Sequence, residues 1–215
     1  MARDLEYGRR IYDWWGRHRL LYKIASWNVF LGKEKSIRKQ AVESIGLKQG
    51  DVVLDLACGP GINFEALENK IGPKGRIIAF DYSRWMLNSA QKKAEEKGWK
   101  NIEFIQGDAA HMELPEDSLD GVYSTLSMSA IPDHKAAMRN VLRALKSGKR
   151  FVILDAQKFE EGWLKIFNPL FGPIFKRTTN WNYDRNIIKD AKGMFDKVEV
   201  KKFNGGSVFI LIITK

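Results

Sequence analysis

The sequence predicts an α/β fold: a mostly parallel, seven-stranded sheet wound with helices on both faces, ending in an antiparallel hairpin and covered by an N-terminal helical segment. Three observations predict it. Short apolar runs alternate with helix-like segments from residue 51 to residue 156, the pattern of parallel strands joined by helical crossovers. The first run passes straight into a glycine-rich turn, Ala57-Cys58-Gly59-Pro60-Gly61. Near the end of the chain, two apolar runs flank Asn204-Gly205-Gly206, a hairpin signal.

The elements follow in order. Residues 51–57 (DVVLDLA) form a near-continuous apolar strand, and residues 62–70 beyond the turn are helical. A second strand at 76–81 is entered through the turn Gly72-Pro73-Lys74-Gly75. Residues 83–97 form a helix with Ser83 as N-cap and Gly98 as stop. Strands follow at 102–106 and 121–125. Residues 133–146 read as a helix capped by Asp133 and stopped near Gly148, before a fifth strand at 150–156. A helix at 184–193, capped by Asp184, leads to the hairpin strands 197–203 and 207–214. A closing hairpin departs from the pure dinucleotide-binding strand order.

The chain has 215 residues, enough for one domain with a real core, and a formal net charge of +10. With 44% hydrophobic residues, disorder, collagen and coiled coil are excluded. The basic charge belongs to the flanks: residues 1–40 carry +6 and residues 41–157 carry −1. Residues 158–183 add +2 and residues 184–215 add +3. Five of the seven tryptophans, Trp14, Trp15, Trp27, Trp163 and Trp181, lie in the first and third of these segments. We therefore expect a single domain over 1–215, with 1–40 as a basic helical cover and 158–183 as an aromatic lid insert. The one cysteine, Cys58, excludes an internal disulfide and a cysteine-based zinc site, and it suits a reducing compartment. The start MARDLEYGRR has no apolar h-region, so no secretory signal is expected. The longest apolar stretch, residues 166–175, has ten residues where a bilayer span needs about 20.

Three acids mark the strand ends. Asp55 precedes the glycine turn, Asp81 ends the second strand 20 residues after Gly61, and Asp108 follows the third strand in Gly107-Asp108-Ala109. Gly59 and Gly61 let the backbone turn tightly and approach a ligand. Asp55 is read as an acceptor for an amine, Asp81 for a ribose diol and Asp108 for an exocyclic amine such as that of adenine. Each acid alone reads equally well as a helix cap. Together they demand a ligand with an amine, a diol and a base. NAD is the rival ligand, but its fingerprint needs glycine at position 64, where Phe64 stands.

Residues 51–156 resemble a class I S-adenosylmethionine-dependent methyltransferase, a Rossmann-like doubly wound family. DLACGPG resembles its acidic glycine-rich first motif, FDYS (80–83) the second and QGDA (106–109) the third. LPEDSLDGVYSTLSMSAIPD (114–133) resembles the region of the fourth strand, and LRALKSGKRFVILD (142–155) the helix, turn and strand after it. Ala57 departs from the usual glycine. The resemblance implies S-adenosyl-L-methionine as cofactor, held by Asp55, Ala57, Cys58, Gly59, Gly61, Asp81, Gly107, Asp108 and Ala109. Tyr82, Met86 and Leu126 would pack around its adenosine or methionine parts.

The acceptor is read from absences and flanks. No Asp/Asn-Pro-Pro-Tyr/Phe segment follows the fourth strand; Ser124-Thr125-Leu126-Ser127 stands there. This speaks against methylation of planar exocyclic amines of bases or of glutamine. His18, His111 and His134 fall in no metal-ligand spacing, so no metal is expected. His134 is a catalytic candidate because it follows the fourth-strand loop. Residues 5–31 interleave apolar and basic residues with tryptophan, as a membrane-surface helix does. Trp163, Ile166, Phe167, Leu170, Phe171 and Ile174 recur at helical spacing, while Pro169 and Pro173 forbid a straight helix, so two short helices are expected with a break near Asn168. Burial of these two segments against each other is the plain alternative. Contact with an anionic surface would gain about 1 kcal/mol per Lys or Arg.

The layout also resembles small phospholipid N-methyltransferases and the ubiquinone/menaquinone-type methyltransferases, with Tyr12-Asp13 matching a Tyr-Asp pair in the N-terminal cover. By that resemblance Tyr12 touches the cofactor and is a second catalytic candidate, and Tyr7 or Tyr22 meets a cationic head group. The expected function is N-methylation of a phospholipid amine such as phosphatidylethanolamine, by a cytoplasmic enzyme docked peripherally on an anionic membrane. The alternatives are C-methylation of a quinone precursor and, from another class, an RNA-directed methyltransferase or RNA-binding module, with nucleic acid the less expected partner.

Overall fold

In the computed structural model, which describes residues 2–18, 30, 32–182 and 185–215, seven strands pair into one sheet. They are β1 (Val52–Leu56), β2 (Arg76–Asp81), β3 (Ile102–Gln106), β4 (Leu119–Thr125), β5 (Leu145–Ala156), β6 (Val198–Phe203) and β7 (Val208–Thr214). Their order is β3-β2-β1-β4-β5-β7-β6. The first five run parallel, and β7 enters antiparallel between β5 and β6. Asn204, Gly205 and Gly206 all take positive φ, between 51° and 81°, which makes the tight return between β6 and β7.

Strand parity sorts the core into two layers. Leu54, Leu56, Ile78, Phe80 and Val122 pack against Met138 and Val141 of helix α5 (His134–Ala144) and Ile187 of α7 (Ile187–Met194). On the other face, Val53, Ile77, Ala79 and Tyr123 pack with α2 (Glu34–Ile45), α3 (Phe64–Ile71) and α4 (Arg84–Lys97). Helix α2 was not assigned from sequence; its apolar stripe Ile37, Ala41, Val42, Ile45 is short and set in a polar background.

Local rules place the helix ends. The Ser83 hydroxyl accepts from the Met86 N–H, and Gly98 closes α4 in the left-handed region. Asp133 caps α5 by accepting from the Ala136 N–H. That helix ends at Ala144, earlier than expected, because fully buried Leu145 already pairs with Leu119 in the sheet. Asn186, accepting from the Lys189 N–H, caps α7; the expected cap, Asp184, lies outside the described residues.

The flanks differ from expectation in detail. Helix α1 (Ala2–Arg17) ends before the expected 31, and residues 19–29, Tyr22 among them, lie outside the described residues. In the lid, a 3-10 turn (Trp163–Phe167) gives way at Asn168 to α6 (Asn168–Thr179). Pro169 falls in its first turn, where the missing N–H has no partner to lose, but α6 continues through Pro173.

Candidate functional site

A cleft opens at the carboxyl ends of β1 to β4, where the strand order reverses between β1 and β4. Its floor comes from the turns after the strands: Ala57 and Gly59 after β1, Asp81 and Tyr82 after β2, Gly107, Asp108 and Ala109 after β3, and Thr125, Leu126 and Ser127 after β4. Met86 joins from α4. Gly8, Arg9 and Tyr12 of α1 form one wall, and Asn180, just past α6, forms another.

Asp81 organises the floor. One carboxylate oxygen accepts from the Gly59 N–H at 2.8 Å and the other from the Ser83 N–H at 2.8 Å. Burial pushes its pKa up to about 6, against the lowering effect of those N–H groups. Asp108 caps the short turn that follows it: one oxygen accepts from the Ala110 N–H at 3.0 Å, and the other lies 2.9 Å from His111 Nδ1. Ala57 and Leu126 hold φ of 54° and 51°, a left-handed backbone that costs an alanine or leucine about 1–2 kcal/mol. The alanine that replaces the usual glycine is therefore under backbone strain at the ligand edge.

Gly61 does not line the cleft, and its role is steric. A Cβ there would stand 2.5 Å from the Phe64 ring, at a φ of +72°. That ring sits edge-on to Trp99 and Phe104, with centroids 6.4 and 6.1 Å away. It fills the space in which a third fingerprint glycine would bring helix and strand together.

Three further expectations change. Asp55 does not reach the rim. It shares the parity of Val53, so its carboxylate turns under α2 and α3, where Asn63 Nδ2 donates to it at 2.9 Å. Burial pushes its pKa up to about 7, partly countered by Asn63 and by the charge of Arg38, which itself donates to Asn63 Oδ1 at 3.0 Å. The Cys58 thiol is likewise buried off the cleft, and burial raises its pKa. His134 stands away from the cleft: the start of α5 turns its buried ring to α7, with Nε2 2.8 Å from Asp190 Oδ2. Burial lowers its pKa, against the carboxylate.

The wall of α1 is stitched on both sides. The Tyr12 hydroxyl donates to the Thr179 carbonyl at 2.8 Å, and the Ser83 hydroxyl donates to Asp13 at 2.5 Å. Trp15 Nε1 donates to the Thr178 carbonyl at 2.7 Å, and Tyr7 to that of Arg177 at 3.2 Å. These aromatic donors satisfy carbonyls at the C-terminus of α6 that the helix leaves without partners. Gly8 allows the close crossing, since a Cβ there would stand 2.8 Å from Asn180 Nδ2. The Arg17 guanidinium lies 4.3 Å from the Trp85 ring. Arg9 and Asn180 were not found from sequence, because only the docking of α1 and α6 brings them to the cleft; Ser127 was not singled out, although it follows β4 directly beside Leu126.

The residues fit the expected cofactor: an acceptor pair for a diol at Asp81, an acceptor for an amine at Asp108, and apolar cover from Met86 and Leu126. A family model described as a methyltransferase domain matches residues 47–201. A demethylmenaquinone methyltransferase of Staphylococcus carnosus is 31% identical over 194 residues, covering 81% of this chain and 80% of that protein. The corresponding Listeria monocytogenes protein is 30% identical over 166 residues, 73% of this chain and 70% of its own. Among solved structures, a SAM-dependent methyltransferase from Aquifex aeolicus superposes with a TM-score of 0.58 at 20% identity, covering 82% of this chain and 88% of its own. A Haemonchus contortus phosphoethanolamine N-methyltransferase, solved with phosphomonomethylethanolamine and S-adenosylhomocysteine, gives 0.65 at 20% identity, covering 78% and 38%. At these identities the two structures speak for the fold.

Proposed function

Since the chain belongs to the class I S-adenosylmethionine-dependent methyltransferases, we propose that it methylates the amine head group of a membrane phospholipid of the phosphatidylethanolamine type. The cofactor supplies an activated methyl on a sulfonium. The chain must orient an acceptor toward it and exclude water. Asp81 and Asp108 hold the nucleoside end, and Tyr12 and Asn180 close the wall above it.

One observation carries the lipid reading. Trp163, Ile166, Leu170 and Ile174 of the lid are 71%, 71%, 59% and 48% exposed, a row at helical spacing. The lid's last residues form the cleft wall, so an acceptor leaving a bilayer beneath the lid enters beside Tyr12. Among the described residues no helix is long and apolar enough to cross a membrane, so contact would be at the surface. The head group is an ammonium at neutral pH and must give a proton to water before its lone pair takes the methyl. Among the described residues, no histidine or lysine lines the cleft, so an ammonium and a phenol alike find no such base there. Tyr12 and Tyr82 line the cleft, and tyrosine rings are residues that attract a cationic head group.

A second reading, C-methylation of a demethylmenaquinone-type ring, is favoured by the names of the relatives at 30–31% identity. It shares the apolar tail and the membrane. The test uses S-adenosylmethionine with a deuterated methyl and vesicles holding both phosphatidylethanolamine and reduced demethylmenaquinone. Mass spectrometry is expected to find the label on the amine. Label on the ring would establish the second reading, and label on neither would contradict both.

A further inference from the structure

A second, open groove runs between α1 and the C-terminal end of α6, and it shares no lining residue with the cleft. Arg10 enters it from α1 and Arg177 from α6, between Tyr7, Ile11, Trp14 and Trp15. Trp14 and Tyr7 remain 47% and 45% exposed. The polar handles of Tyr7 and Trp15 already donate to α6 carbonyls, so their rings add apolar wall rather than new hydrogen bonds. Among the described residues, neither guanidinium has a carboxylate or other side-chain partner. Two cations from two elements thus line one apolar groove with no anion between them. A phosphate with an apolar body matches both halves of this lining, since guanidinium binds phosphate with charge-assisted, bidentate hydrogen bonds.

We propose that this groove holds an anionic phospholipid, with its phosphate between Arg10 and Arg177 and the upper part of its chains against Tyr7, Ile11 and Trp14. Such a lipid is bound beside the acceptor's path and is not itself the acceptor. It bridges α1 to the lid and fastens the cover where the bilayer carries negative charge. The site stands whatever the enzyme methylates, because its binding is read without turnover.

Isothermal titration calorimetry tests it on the full chain, with dihexanoylphosphatidylglycerol below its micellar concentration. Inorganic phosphate and zwitterionic dihexanoylphosphatidylcholine are the comparison probes. The glycerol lipid is expected to bind at least about tenfold more tightly than either probe, and more weakly as sodium chloride rises. Arg10→Gln and Arg177→Gln are each expected to weaken it by about tenfold, the worth of one charge-assisted hydrogen bond. Arg139→Gln, an exposed charge on α5, is expected to leave it unchanged. Binding of S-adenosylhomocysteine at wild-type strength shows that each variant is folded. Equal affinity across the three variants, salt-independent binding, or phosphate as tight as the lipid overturns the proposal. So does equal affinity for the two lipids.

Discussion

The first six side chains of β7 are buried, whereas Trp163 and Ile166 in the lid are each 71% exposed. Both segments are apolar by sequence. In β7 the apolar run is enclosed by β5 and β6 and by helix layers on both faces. In the lid, the Glu160 and Glu161 N–H groups hold the start of the segment to the Gly205 carbonyl of the hairpin, and Asn180 Nδ2 and the Asn182 N–H hold its end to the Ala130 and Ser129 carbonyls, at 3.4 and 3.2 Å. Hydrophobicity alone therefore does not say which partner buries it. On the proposed function, the sheet end would build the donor site from strand ends and turns, while the cover would build the acceptor side and present its apolar row to a membrane.

If the two regions divide the work in this way, substitutions should separate donor binding from membrane binding. The largest effect is expected at Asp81. Asp81→Ala removes the diol acceptor and releases the Gly59 and Ser83 N–H groups, so calorimetry should show S-adenosylhomocysteine affinity falling by about a hundredfold or more. Vesicle co-sedimentation should not change. The reverse pattern is expected for Trp163→Ser combined with Ile166→Ser: vesicle binding falls by about tenfold for each side chain withdrawn, and cofactor affinity holds.

Tyr12 sits where the regions meet. Tyr12→Phe loses one hydrogen bond to the end of α6, worth about 1 kcal/mol, so cofactor affinity should fall several-fold while the melting temperature barely moves. A change in neither would mean that the cover does not bear on the donor site.

Asp55 makes the sheet side sensitive to pH. Its folded pKa, about 7, lies above the unfolded value, so the folded chain binds the extra proton between about pH 4 and pH 7. Its contribution is full below the unfolded pKa and is lost as pH rises through about 7. Urea midpoints should fall over that window, and Asp55→Asn should flatten the slope. The smallest effect is expected at Ala57, where Ala57→Gly relieves a φ of 54° but loosens the unfolded chain. The net gain in unfolding free energy should be about 1 kcal/mol or less.

What was legible in the sequence was what local rules decide. Ser83 and Asp133 are short polar residues before apolar helices, and both cap. Asn204-Gly205-Gly206 supplies the positive φ that a tight hairpin needs. Phe64 blocks the dinucleotide fingerprint through a ring contact that spacing alone announces. What was not legible depended on direction and on docking. Asp55 shares the strand parity of Asp81, but it lies level with Ala79, short of the end of β2, so its carboxylate stays within the α2–α3 layer. His134 follows the right loop, yet the first turn of α5 aims it at Asp190. Asn180 reaches the cleft where α1 crosses close by, with the Gly8 Cα against its side chain.

The division between a donor site made by the sheet and a membrane face made by the cover is tested most directly by hydrogen–deuterium exchange. The full chain is measured alone, with S-adenosylhomocysteine and with anionic vesicles. The ligand is expected to protect the turns around Gly59, Tyr82 and Asp108, and the vesicles to protect α1 and the segment from Trp163 to Thr179. Vesicles that leave both flanks unprotected, or a ligand that leaves those three turns exchanging as before, would contradict it.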